Sequence, residues 1–188
     1  MVNQLEVYQY LLDTLLGFNM SGIINATNLE VANIKDSTGT NTAMTVDSTG
    51  RVKQPNLVAW NVFRNATMSS SGDVTYTGSH LNVGTCVNLS TGVFTAPVAG
   101  TYFISFISLG HNSGSGNVDI FLYLNGSKDT NIIALRGLGA SSTESLSSLP
   151  SGSAVMSLSA SDEVKINVNQ TLYSDGNNWI RFSGFLIG

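Results

Sequence analysis

From residue 57 onward the sequence predicts an all-β sandwich, preceded over residues 1–56 by a short helix and a hairpin-like attachment segment. Three observations predict it. Short runs rich in β-branched and aromatic residues recur between turn clusters such as "SSSGD", "NGSKD" and "YSDGNN", the spacing of a sandwich or barrel. Only 11% of the residues are charged, less than half the usual ~25%, and Gly, Ser, Thr and Asn fill the gap. Polarity without charge suits strand faces and turns. Finally, nothing beyond residue 56 carries helical periodicity. With 42% hydrophobic residues and a net charge of −4, the chain is too apolar and too weakly charged for general disorder.

The first element is a helix from Gln4 to Leu16. Leu5, Tyr8, Leu12 and Leu15 fall at helical spacing and Gly17 supplies a stop. Three turns are marginal alone, so this apolar stripe docks on its own domain or serves as an anchor into a partner or sibling copies. Next come "KDSTGT" and "VDSTGR", a repeat eleven residues apart. In each, Asp bonds backbone two residues on and Gly is free to take positive φ. These are hairpin-like units or a partly ordered linker. Strands are then expected at Leu57–Phe63, Gly84–Leu89, Val93–Pro97, Thr101–Leu109, Val118–Asn125, Asn131–Arg136, Ala154–Ala160, Glu163–Val168 and Trp179–Ile187.

The stretch "STGVFTAPVAGTYFISF" (Ser90–Phe106) shows how one strand yields to the next. Pro97 ends the first because it cannot donate to a ladder, and Gly100 lets the chain reverse. In the second strand Tyr102, Ile104 and Phe106 face one way, and Phe103, Ile107 and Leu109 the other. Both faces are apolar. A sandwich buries only one face of each sheet, so the second face needs a loop or another subunit over it.

That stretch resembles the most recognisable block of the C1q/TNF-like family, the globular heads of complement C1q and its relatives. "AWNVFRN" (Ala59–Asn65), "VDIFLYLNG" (Val118–Gly126), "GSAVMSLSASDEV" (Gly152–Val164) and "FSGFLI" (Phe182–Ile187) resemble other blocks in family order. Ser161 departs from the pattern, which usually has Gly before the Asp at 162. The resemblance implies a ten-stranded jelly roll assembling as a three-fold homotrimer. Trp60, Phe121, Tyr123 and Phe185, from strands with an excess of large apolar residues, are candidates for the trimer axis. Filling the protomer core is the alternative for each.

Residues 1–56 do not match the complement relatives. A short helix, Asp-Ser-Thr-Gly units and "GRVKQPN" ahead of such a head instead resemble tailed-bacteriophage structural proteins, whose heads cap trimeric fibres or decorate capsids. The start lacks a positively charged n-region and carries Glu6 and Asp13, unlike a signal peptide. A single cysteine, Cys86, excludes an intrachain disulfide and reads as a buried small hydrophobe.

Other chemistries find little support. A pI near 4.9 with scattered basic residues opposes nucleic-acid binding. No apolar run approaches the ~20 residues of a membrane span. His80 and His111 lie in expected turns, and His111 beside Ser113 is not the strand-to-helix nucleophile elbow. One cysteine and two histidines make no zinc set, and no other cofactor is indicated. Asp119, Asp162, Glu163 and Asp175 are oxygen ligands available to calcium, at spacings that demand no metal.

The expected function is a non-enzymatic, homotrimeric virion structural protein, assembled in the host cytoplasm and held on the virion surface by residues 1–56. Its partners are other virion proteins of the capsid, neck or tail. The head over residues 57–188 is a short fibre or spike contacting a host-surface glycan or protein, or a capsid decoration. The alternative is a cellular C1q/TNF-like or lectin-like recognition module. In either case "SSSGD", "HNSGSGN" and "YSDGNN" are the loops placed for contact.

Overall fold

A computed structural model describes residues 33–35, 38–40, 42–54, 57–110, 118–128, 135–137 and 151–188. The expected helix with Leu5, Tyr8, Leu12 and Leu15 lies outside the described residues, as does His111. The chain divides into two compact units, Met1–Lys53 and Gln54–Gly188.

In the first unit, β1 (Asn33–Lys35), β2 (Thr42–Val46) and β3 (Val52–Lys53) form an antiparallel sheet in that order. Asp47 builds the turn between β2 and β3. Its Oδ1 accepts from the Thr49 N–H at 2.9 Å, the Thr49 hydroxyl at 2.7 Å and the Arg51 N–H at 3.0 Å. The Arg51 Nε donates to Oδ2 at 2.9 Å. Bonds from the Thr49 hydroxyl, then from the Arg51 backbone, lower the Asp47 pKa to about 2. Gly50 takes φ +80 and Gly39 φ +70, the left-handed backbone the repeat predicts.

The second unit is a sandwich of two antiparallel sheets. One holds β4 (Ala59–Met68), β6 (Gly78–Asn82), β9 (Gly100–Ile107), β14 (Ser151–Leu158) and β16 (Leu172–Leu186) in the order β14-β9-β16-β4-β6, with β10 (Leu109–Gly110) paired to β16. The other runs β12-β11-β15-β8-β7, from β12 (Ser127–Lys128), β11 (Val118–Leu124), β15 (Glu163–Val168), β8 (Val93–Thr95) and β7 (Val87–Asn88). To it are added β13 (Leu135–Gly137) on β11 and β5 (Gly72–Asp73) on β15.

Period-two alternation sets which side chains meet between the sheets. Tyr102, Ile104 and Phe106 of β9 are buried there with Trp60 and Val62 of β4 and Phe182 of β16. Val118, Ile120 and Leu122 of β11 and Val164, Ile166 and Val168 of β15 face them. The two layers are joined at Trp60, whose ring stacks on Phe94 of β8 with centroids 4.0 Å apart and tilts against Phe182 at 5.4 Å.

Several boundaries differ from expectation for local reasons. Gly84–Leu89 is not one strand. Gly84 takes φ +68 inside a 3-10 turn, Val83–Thr85, and only Val87–Asn88 pairs. The Asn82 side chain substitutes for the ladder, accepting from the Val87 N–H at 3.0 Å and donating to the Val87 carbonyl at 2.8 Å. β6 has no counterpart among the expected strands, since "GSHLN" lacks apolar alternation. Gly100 has no positive φ. It is small because the chain end crosses it: an added Cβ would stand 2.6 Å from Leu186 Cδ1. The reversal after Pro97 is instead closed by the Tyr102 hydroxyl, which donates to the Val98 carbonyl at 2.7 Å.

Candidate functional site

The two sheets differ on their outer faces. On the first sheet, one row across four strands reads Val155, Phe103, Phe185 and Ala59. Val155 is 60% exposed and Phe185 46%, and the Phe103 and Phe185 rings touch with centroids 5.4 Å apart. The next row is Ser153, Ser105, Ser183, Asn61 and exposed Leu81. A third runs Ser151, Ile107, Arg181 and Phe63. Among these paired residues Arg181 alone is ionised. The Asn61 Oδ1 in the middle row is buried and accepts no hydrogen bond.

The second sheet's outer face is polar and self-covered. The Lys128 Nζ sits 3.3 Å above the Phe121 ring and the Lys165 Nζ lies 5.6 Å from that of Tyr123. Asp73 pairs with Lys165 at 2.5 Å and accepts from Asn167 at 2.6 Å. Partial burial pushes the Asp73 pKa up, but the bonds from Lys165 and Asn167 outweigh it and hold it below the ordinary value.

The four proposed axis residues therefore occupy three different places. Trp60 is 1% exposed and fills the protomer core, so it has no surface to offer a partner. Phe121 and Tyr123 stand on the outer face of the second sheet beneath lysines, across the sandwich from Phe185. Only Phe185 lies on the uncovered apolar face. Large apolar residues mark these strands, but strand parity decides where each one points. Val155 was missed because serines flank it in "GSAVMSL", and its register opposite Phe103 reveals it.

The remaining polar candidates are absorbed into turns. The Asp162 Oδ2 accepts from the Ser159 N–H at 2.8 Å and its Oδ1 from the Asn125 side chain at 2.9 Å. Those bonds, Asn125 first, lower its pKa. The Asn125 Oδ1 in turn accepts from the Glu163 N–H at 2.8 Å, tying the β11–β12 turn to the β14–β15 turn. Asp119 bonds Asn169, and Asp175 lies in β16, where it accepts from Asn177. Among the described residues no three His, Cys, Asp or Glu side chains gather to hold a metal. His80 is exposed and rests on Phe63 at 4.7 Å. Cys86 is buried, and burial raises its thiol to about 11, which leaves it protonated and unreactive.

Ser161 adopts φ +73, a left-handed backbone that costs a side-chain-bearing residue about 1–2 kcal/mol. This is why glycine is the natural occupant. Ser161→Gly is expected to raise stability by up to about 1 kcal/mol, because glycine's own chain entropy offsets part of the gain. Urea unfolding checks it, and an unchanged or lower midpoint counts against the assignment.

Fold and surface together define a class: a jelly-roll head with one polar, self-covered sheet and one sheet that exposes an apolar patch among serines. The chain belongs to the C1q domain family, whose profile matches residues 59–187. It is 28% identical over 120 residues to complement C1q tumor necrosis factor-related protein 3 of Mus musculus and of Homo sapiens, covering 63% of this chain and 46% of each relative. The match thus spans about half the length of those relatives. Among solved structures, the globular domain of zebrafish complement 1qA shares the fold with a TM-score of 0.53 at 23% identity, covering 70% of this chain and 98% of that one. Murine APRIL at pH 8.5 does so with a TM-score of 0.50 at 13% identity, over 69% and 98%. These relatives are animal proteins, and they favour the recognition-module reading over the virion one.

Proposed function

We propose that the chain is a non-enzymatic recognition module that works as a homotrimer, with the outer face of the first sheet buried between copies. The observation that carries this reading is the contrast between the sheets. Lysines cover the aromatics of one, whereas Val155, Phe185 and Ile107 on the other are exposed, with Phe103 half-buried against Phe185. An exposed apolar patch such as Val155, Phe103 and Phe185 marks an interaction site, and in a closed ring each copy buries the same patches. The similarity to C1q-type heads supports the three-fold form.

The double substitution Val155→Asp with Phe185→Asp is expected to dissociate the assembly into folded monomers, because each copy would bury two unpaired carboxylates. Lys128→Ala, on the other sheet, should leave the mass unchanged. Light scattering distinguishes the outcomes, and an intact oligomer in the double variant counts against this interface.

A second reading is the same head displayed on a virion surface, attached through residues 1–56 to other particle proteins. It rests on the sequence resemblance of residues 1–56 alone, a stretch that lies outside the family match. Finding the protein in purified particles at a copy number set by symmetry would establish it. Absence from particles would leave the cellular module.

A further inference from the structure

One side chain stands apart from the apolar face. Along β16 the pairing with β4 jumps from Asp175 opposite Ala66 to Ile180 opposite Arg64. Residues 176–179 therefore project from the ladder opposite Asn65 alone. Gly176 at φ +97 and Asn178 at φ +56 shape this excursion. Asparagine adopts left-handed backbone more readily than other residues with side chains, so Asn178 suits the bulge.

At the end of the excursion Trp179 is 44% exposed, yet it is not free to turn. Its Nε1 donates to the Asp175 Oδ1 at 2.9 Å, and the same oxygen accepts from the Asn177 Nδ2 at 2.6 Å. One carboxylate thus fixes an indole and an amide side by side. The Arg181 Nε donates to the Asn178 carbonyl at 3.0 Å, holding a guanidinium at the base of the loop. The bonds from Trp179, then Asn177, hold the Asp175 carboxyl below its ordinary pKa, so the clamp is in place at neutral pH. Fixing the ring beforehand removes part of the side-chain ordering cost that a ligand would otherwise bear.

The chemistry of the ligand follows from what surrounds the ring. An indole face offers an apolar plate, and the adjacent Asn177 amide offers hydrogen bonds. A phosphate-bearing base would meet Asp175 and a net charge of −4. An apolar peptide or lipid would find one aromatic whose described hydrogen-bond neighbours, Asp175 and Asn177, are polar. A neutral hexopyranose matches both parts, with its C–H face on the ring and its hydroxyls toward the polar groups.

We propose that the bulge of β16 from Asp175 to Trp179 is a saccharide-binding site, in which a pyranose stacks on Trp179 and bonds to Asn177. The inference rests on reading the head as a recognition module and names its ligand class. Three copies on one assembly would turn weak single sites into avid binding through effective concentration.

Tryptophan fluorescence of the full chain tests it. The chain has two tryptophans, and Trp60 is buried, so an added sugar reports on Trp179. Lactose, methyl α-mannoside and chitotriose are each titrated to about 10 mM, ten times a Kd of ~1 mM. At least one is expected to give a saturable emission shift. Trp179→Phe should abolish the shift, leaving Trp60 emission as a blank, and calorimetry should show weakened binding. Trp179→Ala should weaken binding at least tenfold with the oligomer mass unchanged. Asp175→Ala, which frees the ring without removing it, should weaken binding several-fold.

No shift with any of the three sugars overturns the proposal. So does a shift that survives in Trp179→Phe, or a Trp179→Ala variant that changes mass, which would make the residue a subunit contact. A monomer that still binds through Trp179 would sink the trimer and leave this site standing.

Discussion

Gly92→Ala is expected to abolish folding of the head. Gly92 closes the turn between β7 and β8, donating to the Asn88 carbonyl at 2.8 Å. Its φ of +73 already disfavours any side chain. The decisive contact is steric: an added Cβ would overlap the Val74 carbonyl oxygen and stand 2.9 Å from its carbon. Val74 is fully buried and its N–H is bonded to the Ile166 carbonyl at 2.9 Å, so that backbone cannot withdraw without breaking the second sheet. A cost above about 4 kcal/mol is expected, in the range reserved for a named structural failure. Gly126→Ala is the control, since Gly126 has φ +78 but nothing within 4 Å of the added carbon. It should cost about 1 kcal/mol from backbone strain alone. Denaturant unfolding and soluble yield check the pair, and equal costs would contradict the steric argument.

Gly184→Ala is the second large effect. Gly184 lies on the inner side of β16, where an added Cβ would overlap two carbons of the Trp60 ring and stand 2.5 Å from the Phe103 carbonyl. Trp60 cannot give way, being stacked on Phe94 and tilted against Phe182. Overpacking of a filled core costs about 1–3 kcal/mol, and the backbone contact places this case at the top of that range. Adding Trp60→Phe should recover part of the loss but not all, because the Phe103 carbonyl remains. Stability measured on the single and double variants checks this coupling. Fully additive losses would count against it. A shifted β16 would also displace Ser183 and Phe185 on the apolar face, so oligomer strength should fall together with stability.

The same glycine shows how much of the fold was legible. "FSGFLI" is an apolar strand with one glycine, and such a glycine marks a close approach by a bulky group. That places the ring on the glycine's side and Phe185 on the other. β9, β11 and β15 read correctly because their alternation is strong. The family blocks gave the jelly roll as a whole. β6 was unreadable because an edge strand of polar residues carries no period. Gly84–Leu89 misled because Asn82 makes with its side chain the bonds a strand would make with its backbone.

The candidate site was half legible. Two apolar faces on Thr101–Leu109 demanded a cover, and Phe103, half-buried, and Ile107, exposed, both lie on the outer face. Size does not encode direction: Trp60 points into the protomer core, and Phe121 and Tyr123 point outward from the other sheet. The lysines over Phe121 and Tyr123 come from other strands, and only register brings them there. Trp179 escaped notice for another reason. The expected strand starts at Trp179, and β16 does contain it, but the bulge over residues 176–179 takes it out of the ladder.

The central claim is that sibling copies cover the apolar face of the first sheet. Sedimentation equilibrium of the full chain at low micromolar concentration tests it most directly. The expected mass is three times 19.9 kDa, falling to 19.9 kDa with Val155→Asp and Phe185→Asp together. A wild-type chain that sediments as a single 19.9 kDa species, with Phe185 and Val155 open to solvent, would contradict it.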